Sequence, residues 1–125
     1  MRDAHRTEMA EDYTELIGDL IAATGEARLG DLAEHIGVTH ATAAKVVQRL
    51  QRAGLVNSLP YRSIFLTKHG EQVADAARQR HKIVFDFLRA IGVDELTAEA
   101  DAEGIEHHCS QITLDIFKAM TIQSG

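Results

Sequence analysis

The tripeptide Gly37-Val38-Thr39 constrains this chain more than any other stretch. Before it, Leu29, Leu32, Ala33 and Ile36 recur at helical spacing, and after it Ala43, Val46, Val47 and Leu50 do the same. Glycine is the residue type that stops a helix, and threonine is a good N-cap for the next one. The spacing therefore predicts two short helices, over 29–36 and about 40–53, separated by a three-residue turn. Gly54 stops the second. Two strand-like runs follow, Leu55-Val56-Asn57-Ser58 and Ile64-Phe65-Leu66-Thr67, joined through Leu59-Pro60-Tyr61-Arg62-Ser63. Apolar, β-branched runs flanking a turn-forming proline predict a β-hairpin.

The flanks are helical. Met9, Tyr13, Leu16, Ile17, Leu20 and Ile21 form an apolar stripe over 7–23, and Gly25 ends it. Thr67 can cap a helix over about 68–91 that buries Val73, Ala77, Val84, Phe87, Leu88 and Ile91. Gly92 breaks that helix, and two more are predicted over about 95–108 and 111–121. The expected fold is mainly α. A winged helix-turn-helix with a β-hairpin wing occupies 1–68, and a helical domain occupies 69–125.

Charge divides along the same lines. The net charge of −6 argues against a protein that holds nucleic acid by bulk positive charge. Residues 25–70, however, carry net +3, while 1–24 carry net −4 and 71–125 carry net −5. A basic middle between acidic flanks suggests that separate segments meet separate partners. In a helix-turn-helix the second helix of the pair enters the major groove and needs hydrogen-bonding groups on its outer face. Thr39, His40, Thr42, Lys45, Gln48 and Arg49 supply them, Arg52 could reach a phosphate, and Arg62 stands at the wing tip. One cysteine excludes an intramolecular disulfide and fits a reducing, cytoplasmic setting. No apolar run is long enough for a membrane span, and no signal-peptide pattern opens the chain.

The acidic flanks hold hard metal ligands. Asp12 and Glu15 are i, i+3 on the first helix, and Glu103, Glu106 and His107 fall at i, i+3 and i+4 in Asp-Ala-Glu-Gly-Ile-Glu-His-His. Carboxylates gathered on one face repel unless a countercharge joins them, which a divalent cation provides. Oxygen and imidazole donors without thiolate favour Mn²⁺ or Fe²⁺, although Zn²⁺ competes on raw affinity. Glu-x-x-Glu faces are usually solvated surface, and periodicity does not show whether the two faces meet. Cys109 reads as a small apolar residue rather than a ligand.

With Arg80-His81 on the long helix, Glu11-Asp12-Tyr13-x-Glu15 near the start and Glu103-Gly-Ile-Glu-His-His108, the chain resembles the manganese transport regulators, the small manganese-responsive branch of the diphtheria-toxin-repressor family. Thr39 through Leu50, Leu66-Thr-x-x-Gly70 and Phe87-Leu-x-x-Ile-Gly-Val93 extend the resemblance over nearly the whole chain. It implies that Asp12, Glu15, His81, Glu103, Glu106 and His107 bind a pair of Mn(II) ions, with Fe(II) possible. Iron-responsive relatives carry Met and Cys where this chain has Asp12 and Glu103, so the harder pair points to manganese. They also carry a C-terminal SH3-like domain, for which 125 residues leave no room. The resemblance further implies metal binding between the domains, a palindromic operator in double-stranded DNA, and repression of manganese uptake genes.

Ile83, Val84, Phe87, Leu88, Ile105, Ile112, Ile116, Phe117 and Met120 exceed what three short helices can cover, which predicts a two-fold homodimer. Three other readings remain open. A two-metal hydrolase or oxygen-handling enzyme would use the same ligands, but paired Glu-x-x-His motifs are lacking and no catalytic residue or small-molecule substrate is indicated. A metal-independent winged-helix regulator would ignore Mn²⁺ and chelator alike. A ferrous-iron-responsive repressor of the same family would use the same site.

Overall fold

The computed structural model describes the backbone of residues 2–58 and 63–124 and the side chains of residues 8–58 and 63–123. Its elements run α1 (Arg2–Thr24), α2 (Leu29–Ile36), α3 (His40–Arg52), β1 (Val56–Ser58), β2 (Ile64–Leu66), α4 (Lys68–Ala90), α5 (Glu95–Ile105) and α6 (Gln111–Ser124). They fall into two compact units, Met1–Asp75 and Ala76–Gly125, so the division lies within α4.

The first unit is a winged helix-turn-helix. Gly37 takes the left-handed backbone at φ 81°, and its N–H donates to the Ala33 carbonyl, ending α2. Thr39 then caps α3: its Oγ1 accepts from the Thr42 N–H at 3.1 Å. The inward face of α3 is Ala43, Val46, Val47 and Leu50, all buried, as the spacing predicts. Val46, Val47 and Leu50 share one core with Tyr13 and Ile17 of α1, Leu32 of α2, Leu55, Val56 of β1 and Ile64 of β2. Ile36 departs from the predicted stripe and is exposed.

β1 and β2 pair antiparallel, with Val56 opposite Leu66 and Ser58 opposite Ile64. Alternation sends Ile64 inward and leaves Phe65 half exposed. The sequence gives no sign of a third contact to this hairpin. The Ile64 N–H donates to the Ala27 carbonyl at 2.8 Å, forming an isolated bridge. Beside it, the Glu26 carboxylate accepts from Ser63 Oγ at 3.0 Å and from Arg28 Nε at 2.9 Å. Those hydrogen bonds, Arg28 first, hold the Glu26 carboxyl below its usual range. Gly70 closes the unit. Its N–H donates to Thr67 Oγ1, and a Cβ there would collide with the Leu55 carbonyl oxygen.

The second unit packs Val84, Ala102 and Leu114 into a small core. Ile83, Phe85, Leu88, Cys109 and Phe117 lie partly buried against it, and the Phe87 and Phe117 rings stack with centroids 4.1 Å apart. Asp94 caps α5 by accepting from the Thr97 N–H at 3.0 Å, and Thr97 keeps the Asp94 carboxyl below its usual range. α5 ends at Ile105, not at His108 as the pattern suggests. Glu106 nevertheless keeps helical backbone (φ −57°, ψ −33°), and its N–H donates to the Ala102 carbonyl. The helical offsets of Glu103, Glu106 and His107 therefore survive in a terminal turn.

α6 is apolar on two sides. Leu114 and Phe117 face the unit's core, while Ile112, Ile116 and Met120 form a stripe at four-residue steps that is 74%, 53% and 47% exposed. Val84 is fully buried in the subunit's own core, and Ile83, Leu88 and Phe117 pack against it, so the face left for a partner is narrower than the sequence suggests. Ile91, predicted to be buried, is 59% exposed. No helix among the described residues is long and apolar enough to cross a membrane.

Candidate metal centre and nucleic-acid interface

α4 and α5 build the centre of the second unit. His81 reaches from α4 toward a row of carboxylates at one-turn intervals on α5 and its terminal turn: Glu99, Glu103 and Glu106. His81 Nε2 is hydrogen-bonded to Glu99 Oε1 at 2.9 Å. On the other edge of the ring, Nδ1 is 3.4 Å from Glu103 Oε1 and 3.6 Å from Glu106 Oε1. His107 Nε2 is 3.7 Å from the same Glu106 oxygen. Glu103, Glu106 and His107 each offer a ligand atom within 4.8 Å of the others, as do His81, Glu99 and Glu103.

This arrangement fits a divalent cation on its own chemistry. The Glu106 side chain is closed off from solvent and that of His107 nearly so. His81 Nδ1 is buried and has no hydrogen-bond partner among the described residues. Three carboxylates around two imidazoles are hard donors without thiolate, the set suited to Mn²⁺ or Fe²⁺. A cation at such a place would satisfy Nδ1 and offset the gathered negative charge. Four of the six residues singled out from the sequence, His81, Glu103, Glu106 and His107, thus come together. The other two belong to the first unit, one turn apart on α1, Asp12 exposed and Glu15 half-buried. Glu99 was missed because it lies one turn before the recognisable Glu-Gly-Ile-Glu-His-His string. Its spacing of four from Glu103 was the available signal.

The first unit offers a surface of a different kind. Thr39, His40, Thr42, Lys45, Gln48 and Arg49 are all exposed at the start of α3 and along its outer face, opposite the four buried apolar residues. Arg52 is exposed at its end. Thr39 and Thr42 also bond to each other, Oγ1 to Oγ1 at 3.0 Å, so part of their capacity stabilises the helix start. The His40 ring lies over Gly30 of α2, where a Cβ would stand 3.3 Å from Nε2. Arg62 lies outside the described residues.

A groove-sized helix with an exposed polar face, a wing behind it, and a carboxylate–imidazole cluster in the second unit define a class: the metal-dependent, DNA-binding transcriptional regulator. Comparison with known proteins narrows it. The family model described as iron dependent repressor, N-terminal DNA binding domain, matches residues 5–64, and its companion, the metal binding and dimerisation domain, matches residues 67–121. The transcriptional regulator MntR of Salmonella typhimurium is 50% identical over 125 residues, which is all of this chain and 80% of that protein. The HTH-type transcriptional regulator MntR of Bacillus subtilis is 39% identical over 87% of this chain and 77% of its own. Among solved structures, a manganese-dependent transcriptional repressor in complex with manganese superposes with a TM-score of 0.79 at 28% identity, over 90% of this chain and 52% of the other. T. acidophilum IdeR shares the fold, with a TM-score of 0.76 at 23% identity over 86% of this chain and 51% of the other. The chain thus spans four fifths of the Salmonella relative and about half the length of these solved chains. It belongs to the MntR family of transcriptional regulators, within the diphtheria-toxin-repressor group. These relatives are regulators, not enzymes.

Proposed function

We propose that the protein is a manganese-responsive repressor that binds a palindromic operator as a homodimer and turns off manganese uptake genes when the metal is plentiful. The observation that carries this reading is the gathering of Glu103 and Glu106 oxygens at the buried His81 Nδ1, with His107 beside Glu106, in a chain half identical to the transcriptional regulator MntR of Salmonella typhimurium. Asp12 and Glu15 join the proposed ligand set on their donor chemistry and the family likeness, and six ligands suit two ions per subunit. The winged helix-turn-helix over 1–68 reads DNA, and the helical part over 69–125 binds metal and dimerises. Such a regulator works in the cytoplasm, where the DNA is.

When bound, the cation supplies positive charge that offsets the cluster's carboxylates. The chain's own residues do the rest. His81 and His107 offer lone pairs, and Glu103 and Glu106 offer anionic oxygens. The exposed stripe of Ile112, Ile116 and Met120 gives a second copy an apolar face to cover. Two recognition helices related by two-fold symmetry then address successive major grooves. Metal and operator are linked, so operator affinity rises by the factor by which the DNA-bound form prefers metal, and no more.

The test is a DNA-binding titration with Mn²⁺, anaerobic Fe²⁺ and Zn²⁺ in turn, each with a chelator control. Operator binding should appear with Mn²⁺ and vanish with chelator. Binding indifferent to both would leave a metal-independent regulator. A response to Fe²⁺ at lower concentration than to Mn²⁺ would make this an iron sensor.

A further inference from the structure

We infer that Glu99 is a positioning residue for the metal centre: its carboxylate holds His81 in the tautomer whose Nδ1 lone pair faces Glu103 and Glu106. The inference rests on the proposed function and extends it to a residue outside the ligand set foreseen from the sequence.

The geometry is asymmetric about the ring. Nε2 lies 2.9 Å from Glu99 Oε1, a hydrogen-bond distance. An ionised carboxylate only accepts, so Nε2 carries the proton of that bond. Nδ1 sits on the other edge, buried and without a hydrogen-bond partner among the described residues, with Glu103 and Glu106 oxygens at 3.4 and 3.6 Å. The Phe85 ring lies nearly parallel to the imidazole, 11° between planes and 6.4 Å between centroids. Phe85 restricts the plane of the ring, and Glu99 decides which nitrogen faces inward.

Burial separates the roles. The His81 side chain is 16% exposed and that of Glu106 is closed off, whereas that of Glu99 is 58% exposed. Glu99 grips the ring from the solvent side. Metal-binding histidines commonly donate their second N–H to a carboxylate, which fixes ring orientation and raises the basicity of the ligating nitrogen. Without Glu99 the imidazole is free to exchange tautomers or flip, and the donor set loses its fixed nitrogen.

The test uses the whole 125-residue chain, ¹⁵N-labelled and stripped of metal, compared with Glu99→Ala and Glu99→Gln. Long-range ¹H–¹⁵N correlation at alkaline pH reads the His81 tautomer without any metal, and electron paramagnetic resonance of free aquo Mn(II) reads the Kd. Circular dichroism checks folding, which an exposed helix position should tolerate. The wild type should show the Nε2–H form. Glu99→Ala should show mixed tautomers and a Kd raised roughly 10–100-fold. Glu99→Gln, whose carbonyl oxygen still accepts, should restore the tautomer and most of the affinity. An unchanged tautomer and Kd in Glu99→Ala overturns the inference. So does equal loss of affinity in both variants with the Nε2–H form intact, which would make Glu99 a ligand or a charge rather than a positioner. A wild type that shows the Nε2–H form but binds no Mn(II) overturns the proposed function instead, and with it any role for Glu99 at a metal centre.

Discussion

Glu106 and His81 face each other with 3.6 Å between Glu106 Oε1 and His81 Nδ1, and the Glu106 side chain has no solvent exposure. That separation is longer than a hydrogen bond. A carboxylate withdrawn from water is stable only with compensating charge or hydrogen bonds. A divalent cation held beside His81 and Glu106 would supply that charge.

Glu103→Ala and His107→Ala should leave a folded dimer that no longer responds to metal. Glu103 is half exposed, so its removal leaves little cavity. The Mn(II) Kd should rise at least about tenfold, as loss of even an outer contact does in metal sites. Manganese titration of the purified variant, with operator binding followed by fluorescence anisotropy, checks both effects. An unchanged metal response in Glu103→Ala would remove it from the ligand set.

Arg49→Ala should weaken operator binding while leaving metal affinity intact, and Lys45→Ala should act in the same direction. Both side chains are exposed on the outer face of α3. A good bidentate base contact is worth roughly 1–3 kcal/mol. Competition against operators altered base by base tells a base contact from a phosphate contact, because only the former loses discrimination at one position.

Ile116→Glu should shift the protein from dimer to monomer at micromolar concentration. Ile116 sits mid-stripe on α6 and is 53% exposed in the subunit, so the substitution leaves the subunit's own core intact. Sedimentation velocity reads the association state, and circular dichroism confirms the fold. A variant that remains dimeric would place the partner face elsewhere.

Gly70→Ala should destabilise the first unit. The new methyl group meets the Leu55 carbonyl, which is backbone and yields only if the chain moves. Overpacking of this kind costs about 1–3 kcal/mol. Thermal or urea unfolding measures it.

Glu26 supplies a pH signature. Its hydrogen bonds from Arg28 and Ser63 lower its folded pKa, so its stabilising contribution is present above the unfolded value of about 4.3 and is lost as the pH falls through the folded value. The stability difference between wild type and Glu26→Gln should therefore be present at neutral pH and shrink in acid. Melting curves of both proteins across that range decide it. A difference that grows in acid would contradict the assignment.

The helices were legible because their signals are local. Val46, Val47 and Leu50 announce one face of α3, and Gly37 and Thr39 mark a stop and a start that involve only neighbouring residues. The start of α1 was not legible, since Arg2–Arg6 carry no apolar stripe for periodicity to report. Nor was the Ala27–Ile64 bridge, a pairing between residues 37 apart with no pattern of its own. At the metal centre, Glu103, Glu106 and His107 were visible as helical offsets. His81 came only with the family resemblance, and Glu99 only with the fold, because the partner of an imidazole edge is set by how two helices pack.

α3 keeps its two jobs on separate faces, and this bears on how such a regulator changes over generations. Ala43, Val46, Val47 and Leu50 hold the core, while Lys45, Gln48 and Arg49 contribute nothing to it. Exposed positions of this kind usually accept substitution within about 0.5 kcal/mol. If that outer face reads DNA as proposed, a lineage can rewrite which bases α3 addresses through two or three codons, with little penalty in folding and without touching the residues around His81. Target genes can be gained or lost while the ion that triggers the response stays the same.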